Sequence, residues 1–115
     1  MKESIIIIGA NGQIGTELAI ALRKKFGAEN VVTTDIREPQ IKSPDENFEI
    51  ANVLDKNGLE TLFQQYKPTQ VYLLAAMLSA TGEKYPEKAW ELNMNGLLNV
   101  LDLAVSYKVS KIFWP

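Results

Sequence analysis

The chain contains no cysteine and no histidine among its 115 residues. Without thiols it forms no disulfide and offers no thiol nucleophile, and without imidazole it lacks the commonest general base near neutral pH. The same two absences remove the usual zinc ligands. We therefore expect no metal site and no reaction that depends on a metal ion.

Strong net charge and long apolar runs are also missing. The formal net charge is −2, so no broad basic field points to a nucleic acid or an anionic membrane as partner. The apolar run at residues 5–8 is too short to span a bilayer and lacks the length and cleavage pattern of a signal peptide. We expect a cytoplasmic protein whose partner is a small molecule.

Apolar segments alternate with amphipathic ones along the chain, which is the pattern of strands and helices laid into a parallel sheet. The strands are predicted at residues 5–8, 31–34, 48–50, 70–76 and 111–114, and the helices at 13–26, 58–66 and 86–107. The longest helix is apolar on more than one side. At 46% hydrophobic and 23% charged residues, the chain fits one domain with one core.

Three glycines follow the first strand at third-residue spacing, in the stretch GANGQIG. In this context Gly9 permits a tight turn, Gly12 lets the backbone approach a pyrophosphate, and Gly15 lets helix and strand pack closely. The free amides at the start of the helix, on Gln13 and Ile14, would bind the anion. The alternative is a loop that only turns the chain; a P-loop is excluded because no Gly-Lys-Ser/Thr follows.

Asp35 stands at the end of the second strand, about twenty residues after Gly15, where a carboxylate accepts hydrogen bonds from a ribose diol. That carboxylate would repel the 2′-phosphate of NADP, whereas Arg37 would attract it. We favour NAD as the cofactor and place Ile36 and Arg37 beside it. Two other interpretations of Arg37 stay open: it stacks near the adenine, or it points into water. The alternative for Asp35 is that it caps a helix or a turn.

A glycine loop after the first strand and an acid after the second are typical of dinucleotide-binding Rossmann-like folds. We expect an α/β, doubly wound parallel sheet with strand order 3-2-1-4-5, truncated after the start of the fifth strand. Residues 1–115 would form one NAD-binding domain, and NAD would cross the crevice between the first and fourth strands.

The spacing G-x-x-G-x-x-G resembles that of the extended short-chain dehydrogenase/reductase superfamily of NAD-dependent epimerases, dehydratases and dehydrogenases. The resemblance implies that Asn52 and Val53 lie along the adenine, although the superfamily usually has aspartate at the first position. It also implies contacts of the cofactor with Leu74, Ala75 and Ala76 after the fourth strand, and with Asn93 on the long helix. Without it, the alanines are ordinary core residues and Asn93 is a solvated helix position. Asn95 and Asn99 have no such support and are assigned to the surface or to helix contacts.

Within the superfamily, the segments AAMLSA, PEKAW and FWP are similar to those of NAD-dependent L-threonine 3-dehydrogenases. This resemblance covers the whole chain and implies oxidation of the 3-hydroxyl of L-threonine to 2-amino-3-oxobutanoate, with hydride passing to NAD. It implies substrate contacts at Ser79 and Thr81, for which the alternative is a turn with local hydroxyl bonds. It also implies a homodimer packed through the 86–107 helix. Two other functions stay open: a nucleotide-sugar epimerase or dehydratase, and a non-catalytic dinucleotide-binding sensor module.

The catalytic pair that this resemblance requires is not found in the chain. The superfamily uses Tyr-x-x-x-Lys, in which the lysine makes the tyrosine a better base. Only Tyr107 and Lys111 have that spacing, and they fall at a helix end and a strand start, which we interpret as coincidence. We therefore expect no catalytic residue here, and an N-terminal part of a longer enzyme that is inactive by itself. Surfaces that lack their partner would favour self-association.

Overall fold

A computed structural model describes residues 3–39, 46–75 and 86–114 of the chain. These residues form a five-stranded sheet with the order β3-β2-β1-β4-β5, and every neighbouring pair is parallel. The elements are β1 (Ile5–Ile8), α1 (Gln13–Phe26), a 3₁₀ turn (Ala28–Asn30), β2 (Val31–Asp35), β3 (Asn47–Ile50), α2 (Lys56–Tyr66), β4 (Gln70–Leu73), α3 (Pro86–Ser106) and β5 (Lys111–Phe113). The predicted Rossmann-like architecture and strand order are confirmed.

The central strand β1 is buried on both faces because successive side chains of a strand alternate between them. Ile6 and Ile8 pack into one cluster with residues of α2 and α3, including Phe63. Ile5 and Ile7 pack into a second cluster against α1. A run of four isoleucines is therefore the sequence signature of a strand sandwiched between two helical layers.

Some element ends differ from the prediction. β4 stops pairing at Leu73, opposite Ile8, because β1 turns away at the glycine loop; the sequence placed the end of this strand at Ala76, which lies outside the described residues. α2 begins at Lys56 rather than at Gly58 because the side chain of Asp55 caps it, with Oδ1 accepting from the Gly58 amide at 3.1 Å.

Helix α3 packs one of its apolar sides on the sheet and leaves the other uncovered. Gly96, Val100, Leu103 and Ala104 are buried. The uncovered side carries the exposed side chains Trp90, Leu98, Leu101 and Val105. We call these four residues the outer α3 face.

Candidate functional site

The glycine loop leaves β1 at the carboxyl edge of the sheet, and two of its glycines are required by the fold itself. Gly9 has φ +87°, a conformation that residues with a Cβ rarely adopt. A Cβ on Gly9 would lie 2.5 Å from the Ala75 nitrogen, and one on Gly15 would lie 2.6 Å from the Ala10 oxygen. Neither position tolerates a side chain without movement of the backbone.

Gly12 differs from both, because nothing in the described protein explains it. Its φ of −70° and ψ of 173° are open to any residue, and a Cβ built on it meets no atom within 4 Å. It is the N-cap residue of α1, it supplies no side-chain cap, and the first turn of α1 carries no acidic residue. The amides of that turn therefore combine the positive end of the helix dipole with open space, which fits a phosphate group.

Asp35 lies beside this loop at the end of β2. Its Oδ2 accepts from the Asn11 amide at 2.9 Å and its Oδ1 accepts from the Ile36 amide at 2.7 Å. The carboxylate thus caps a turn, as the alternative interpretation expects. Each carboxylate oxygen has two lone pairs, so each keeps an acceptor position for a further donor such as a ribose hydroxyl.

A cavity of about 420 Å³ opens between these groups, a size within the usual range for ligand pockets. It is lined by Ile8, Gly9, Gly12, Asp35, Ile36, Ala51, Asn52, Val53, Leu54, Leu74 and Ala75. We call it the Asp35 cavity. Most of the predicted cofactor residues are brought together here, and Gln13, Ile14 and Gly15 follow Gly12 directly in α1.

The loop after β3 forms one wall of the Asp35 cavity, and its own polar contacts hold its shape. Asn52 Oδ1 accepts from the Leu54 amide at 2.9 Å. From α3, Asn99 Nδ2 donates to the Val53 oxygen at 2.9 Å, and a Cβ on Gly96 would lie 2.9 Å from a Val53 methyl carbon. Asn99, assigned from the sequence to the surface or a helix contact, therefore fixes this wall. Residues three apart lie on the same side of a helix, so the spacing of Gly96 and Asn99 is a signal in the sequence for this shared contact, and it was not used.

Asn93 occupies a different environment on α3. Its Oδ1 is buried without a hydrogen-bond partner among the described residues, which is typical of an atom kept for a ligand or a water. It does not line the Asp35 cavity. Three other predicted contacts, Ala76, Ser79 and Thr81, lie outside the described residues and stay predictions.

Asn11 was missed by the sequence analysis, which considered only the glycines and the free amides of this loop. Its Nδ2 donates to the Arg37 oxygen at 2.7 Å, so it ties the glycine loop to the segment after β2. The two residues are 26 positions apart, and nothing in a single sequence indicates the pairing. Arg37 itself does not line the Asp35 cavity.

A second and larger groove, of about 750 Å³, lies on the other side of the loop, against α1. We call it the α1 groove; Asn11, Arg23, Arg37, Glu38 and Glu46 are among its lining residues. At its base, Arg23 contacts the Glu46 carboxylate at 3.4 Å. Because it borders the 40–45 segment, which is outside the described residues, we assign no ligand to it.

Titratable groups with shifted pKa values lie away from the Asp35 cavity. The Tyr66 hydroxyl donates to Glu49 Oε2 at 2.6 Å, and burial together with this bond and the charge of Glu49 raises the pKa of Tyr66 to about 12. This pair joins α2 to β3 and has a structural role. The Tyr107 hydroxyl donates to Glu60 of α2 at 3.0 Å, whereas Lys111 opens β5 at the opposite edge of the sheet from the glycine loop. These contacts place Tyr107 and Lys111 away from the carboxyl edge, where the Asp35 cavity lies.

The chain is similar to known proteins in sequence and in fold. A family model described as the NAD dependent epimerase/dehydratase family matches residues 5–114. The chain belongs to this family. The predicted cofactor, NAD, is the one that the family's description names, and the resemblance to the superfamily is confirmed.

Three proteins are similar to this chain in sequence or in structure. An uncharacterised epimerase/dehydratase of Staphylococcus epidermidis is 49% identical over 115 residues, covering 98% of this chain and 36% of that protein. The holo form of an L-threonine dehydrogenase from Cupriavidus necator is 50% identical with a TM-score of 0.90, covering 97% of this chain and 36% of that one. The UDP-glucose 4-epimerase of Thermus thermophilus in complex with NAD is 26% identical with a TM-score of 0.84, covering 95% and 36%.

The chain spans about a third of the length of the curated relatives it matches. Among the described residues, none of the helices is long and apolar enough to cross a membrane.

Proposed function

We propose that this chain binds NAD, with the diphosphate at the first turn of α1 and the adenosine in the Asp35 cavity. The observation that carries the proposal is Gly12, the one glycine of the loop whose missing side chain no neighbouring atom of the described residues requires. A diphosphate against the amides of Gln13 and Ile14 explains it, because a side chain at position 12 would stand in its approach.

The place of the diphosphate suggests a role for each of the other cavity residues. Asp35, with one acceptor position left on each oxygen, would take the ribose hydroxyls. Asn52 and Val53 would border the adenine, and Leu74 and Ala75 would pass beside the ribose and diphosphate. When bound, NAD would supply the hydride acceptor; the protein groups named here bind and orient it.

Isothermal titration calorimetry tests the proposal on the chain itself. We expect NAD to bind and NADP to bind more weakly, because Asp35 repels a 2′-phosphate. Equal binding of the two nucleotides would contradict the ribose assignment, and absence of binding to either would contradict the site.

We further propose that this chain is the nucleotide-binding part of an enzyme that oxidises L-threonine to 2-amino-3-oxobutanoate. The supporting observation is the difference in identity between two solved structures that cover nearly the same share of the chain. The L-threonine dehydrogenase of Cupriavidus necator is 50% identical, whereas the UDP-glucose 4-epimerase of Thermus thermophilus is 26% identical.

The test is substrate preference in a protein that carries this chain at its amino terminus. We expect threonine-dependent formation of NADH that chelators do not inhibit, and no activity on UDP-glucose. Activity on UDP-sugars without activity on threonine would instead favour a nucleotide-sugar epimerase or dehydratase. That second candidate is kept because the Staphylococcus epidermidis relative, 49% identical, carries an epimerase/dehydratase description.

The 115-residue chain alone is proposed to bind NAD without turning over substrate, because its single Tyr-x-x-x-Lys spacing falls on Tyr107 and Lys111, whose contacts are structural. A non-catalytic sensor module would show the same behaviour. Whether the gene encodes a second Tyr-x-x-x-Lys after residue 115 discriminates between the two, since an enzyme requires that pair.

A homodimer through α3 is proposed from the outer α3 face. Val105 is 81% exposed and Trp90 is 66% exposed, although both are large apolar side chains on one helix. Exposed apolar surface of this kind is typical of a protein interface. The expected cytoplasmic location stays a prediction.

A further inference from the structure

Two polar contacts of Asn11 join the glycine loop to the end of β2 and to the segment after it, on which the proposed NAD site depends. Its backbone amide donates to Asp35 Oδ2 at 2.9 Å, and its side-chain Nδ2 donates to the Arg37 oxygen at 2.7 Å. The first bond needs only a backbone and survives any replacement except proline. The second depends on the asparagine side chain and holds the main chain at Arg37 against the glycine loop.

The position of Arg37 matters because it is the cation closest in sequence to Asp35. Arg37 lines the α1 groove and is absent from the lining of the Asp35 cavity, whereas Asp35 and Ile36 line the cavity. The α1 groove also contains Glu38 and Glu46; Arg23 already contacts Glu46, so the two carboxylates and this cation leave one negative charge that favours a second guanidinium there. Asp35 therefore lies on the side of the proposed ribose, and Arg37 lies on the opposite side.

From this geometry we propose that Asn11 is a positioning residue that selects NAD over NADP. By holding the Arg37 carbonyl, its side chain keeps Arg37 beside the α1 groove. Asp35 is then the charged group that meets the ribose 2′ position, and a 2′-phosphate finds a carboxylate without a compensating cation. The inference rests on the proposed NAD site and assigns part of its cofactor preference to a residue outside the Asp35 cavity.

Titration of NAD and NADP into Asn11→Ala, Arg37→Ala and the double variant tests this inference. In Asn11→Ala we expect the preference for NAD over NADP to fall about two- to tenfold, which is the effect of one hydrogen bond on an equilibrium. Arg37→Ala should leave the preference close to that of the wild type, and the double variant should recover it, because the released guanidinium is what accommodates the 2′-phosphate. Asn57→Ala, an exposed asparagine in the first turn of α2, is the matched control.

Three titration results would overturn the inference. If Asn11→Ala weakens both nucleotides by the same factor, or if the double variant does not recover the preference, Asn11 has only a structural role. If the wild-type chain binds neither nucleotide, the proposed NAD site fails and the inference fails with it.

A measurement without nucleotide separates these failures. Backbone ¹⁵N relaxation should show faster motion of residues 36–38 in Asn11→Ala than in the wild type or in Asn57→Ala. Unchanged relaxation would refute the positioning role even if the wild type binds NAD as proposed.

Discussion

Replacement of Gly12 by alanine separates a glycine kept for a ligand from a glycine kept for the fold. Apart from its chain neighbours, the new methyl group would meet no atom of residues 3–39, 46–75 or 86–114 within 4 Å, and the backbone angles at Gly12 suit alanine. Alanine is a poorer N-cap than glycine by up to about 1 kcal/mol. It also restricts the unfolded chain, which returns about 0.4–1 kcal/mol. The free energy of unfolding should therefore change by less than about 1 kcal/mol.

Gly15→Ala is the matched control, because it adds the same methyl group three residues later. There the Cβ would lie 2.6 Å from the Ala10 oxygen, so α1 must move relative to the loop. Overpacking of this kind costs about 1–3 kcal/mol, and the better helix propensity of alanine offsets about 1 kcal/mol of it. The middle of the resulting range, about 1 kcal/mol, should lower Tm by roughly 4–8 °C for Gly15→Ala, whereas the two opposing effects at Gly12 nearly cancel and should change Tm by less than about 4 °C.

NAD binding should show the opposite order, with Gly12→Ala weakening it more than Gly15→Ala does. A methyl group at position 12 would displace the diphosphate from the first turn of α1 and weaken at least one charge-assisted hydrogen bond. Such a bond contributes about 1.5–3 kcal/mol, so Kd should rise roughly ten- to a hundredfold. Differential scanning fluorimetry and calorimetric titration measure the two effects. Gly12→Ala that binds NAD like the wild type, or that loses as much stability as Gly15→Ala, would refute the assignment.

Further predictions concern the ribose, the cavity wall, alkaline stability and assembly. Asp35→Ala should raise the Kd for NAD about tenfold and reduce the preference over NADP in calorimetric titrations, and unchanged titrations would contradict its contact with ribose. Asn99→Ala should leave the Val53 carbonyl without its partner, lower stability by about 1 kcal/mol in urea unfolding and weaken NAD binding, whereas equal NAD affinity would show that the wall is dispensable. Because the pKa of Tyr66 is raised from 10.0 to about 12, its contribution to stability is fully present below pH 10 and is lost as pH rises to about 12. The free energy of unfolding of Tyr66→Phe should therefore vary less across this pH window than that of the wild type, by about 1 kcal/mol after allowance for solvent screening. An unchanged pH dependence would argue against the raised pKa. Val105→Glu should reduce the mass measured by light scattering to that of a monomer, and a wild type already monomeric would refute the dimer.

Much of the fold was predictable because its signals are local. Four consecutive isoleucines and the glycine spacing at Gly9, Gly12 and Gly15 specify a buried strand, a turn and a helix start through dihedral preferences and periodicity. Asp35 was predictable for a similar reason, since it ends the second strand at a distance from Gly15 that one βαβ unit imposes. The predicted strand order came from the Rossmann-like fold that these signals indicate.

Contacts between distant parts of the chain were not predictable in this way. The bond of Asn11 to Arg37 spans 26 residues, and that of Asn99 to Val53 spans 46. Each depends on how two finished elements meet, and the residue type alone allowed several other partners or solvent. The extent of β4 was overestimated for the same reason, because a strand ends where its neighbours stop pairing.

Sequence by itself determined where this protein turns, which strand is buried and which acid follows the glycine loop, because these depend on residues close together in the chain. Tertiary structure alone decided that Gly12, unlike Gly9 and Gly15, has no neighbour to explain it in the part of the chain that the structure describes. It also decided which apolar side of α3 is buried, since both sides satisfy helical periodicity and only one can face the sheet. Both are facts about empty and filled space, which a sequence does not encode residue by residue.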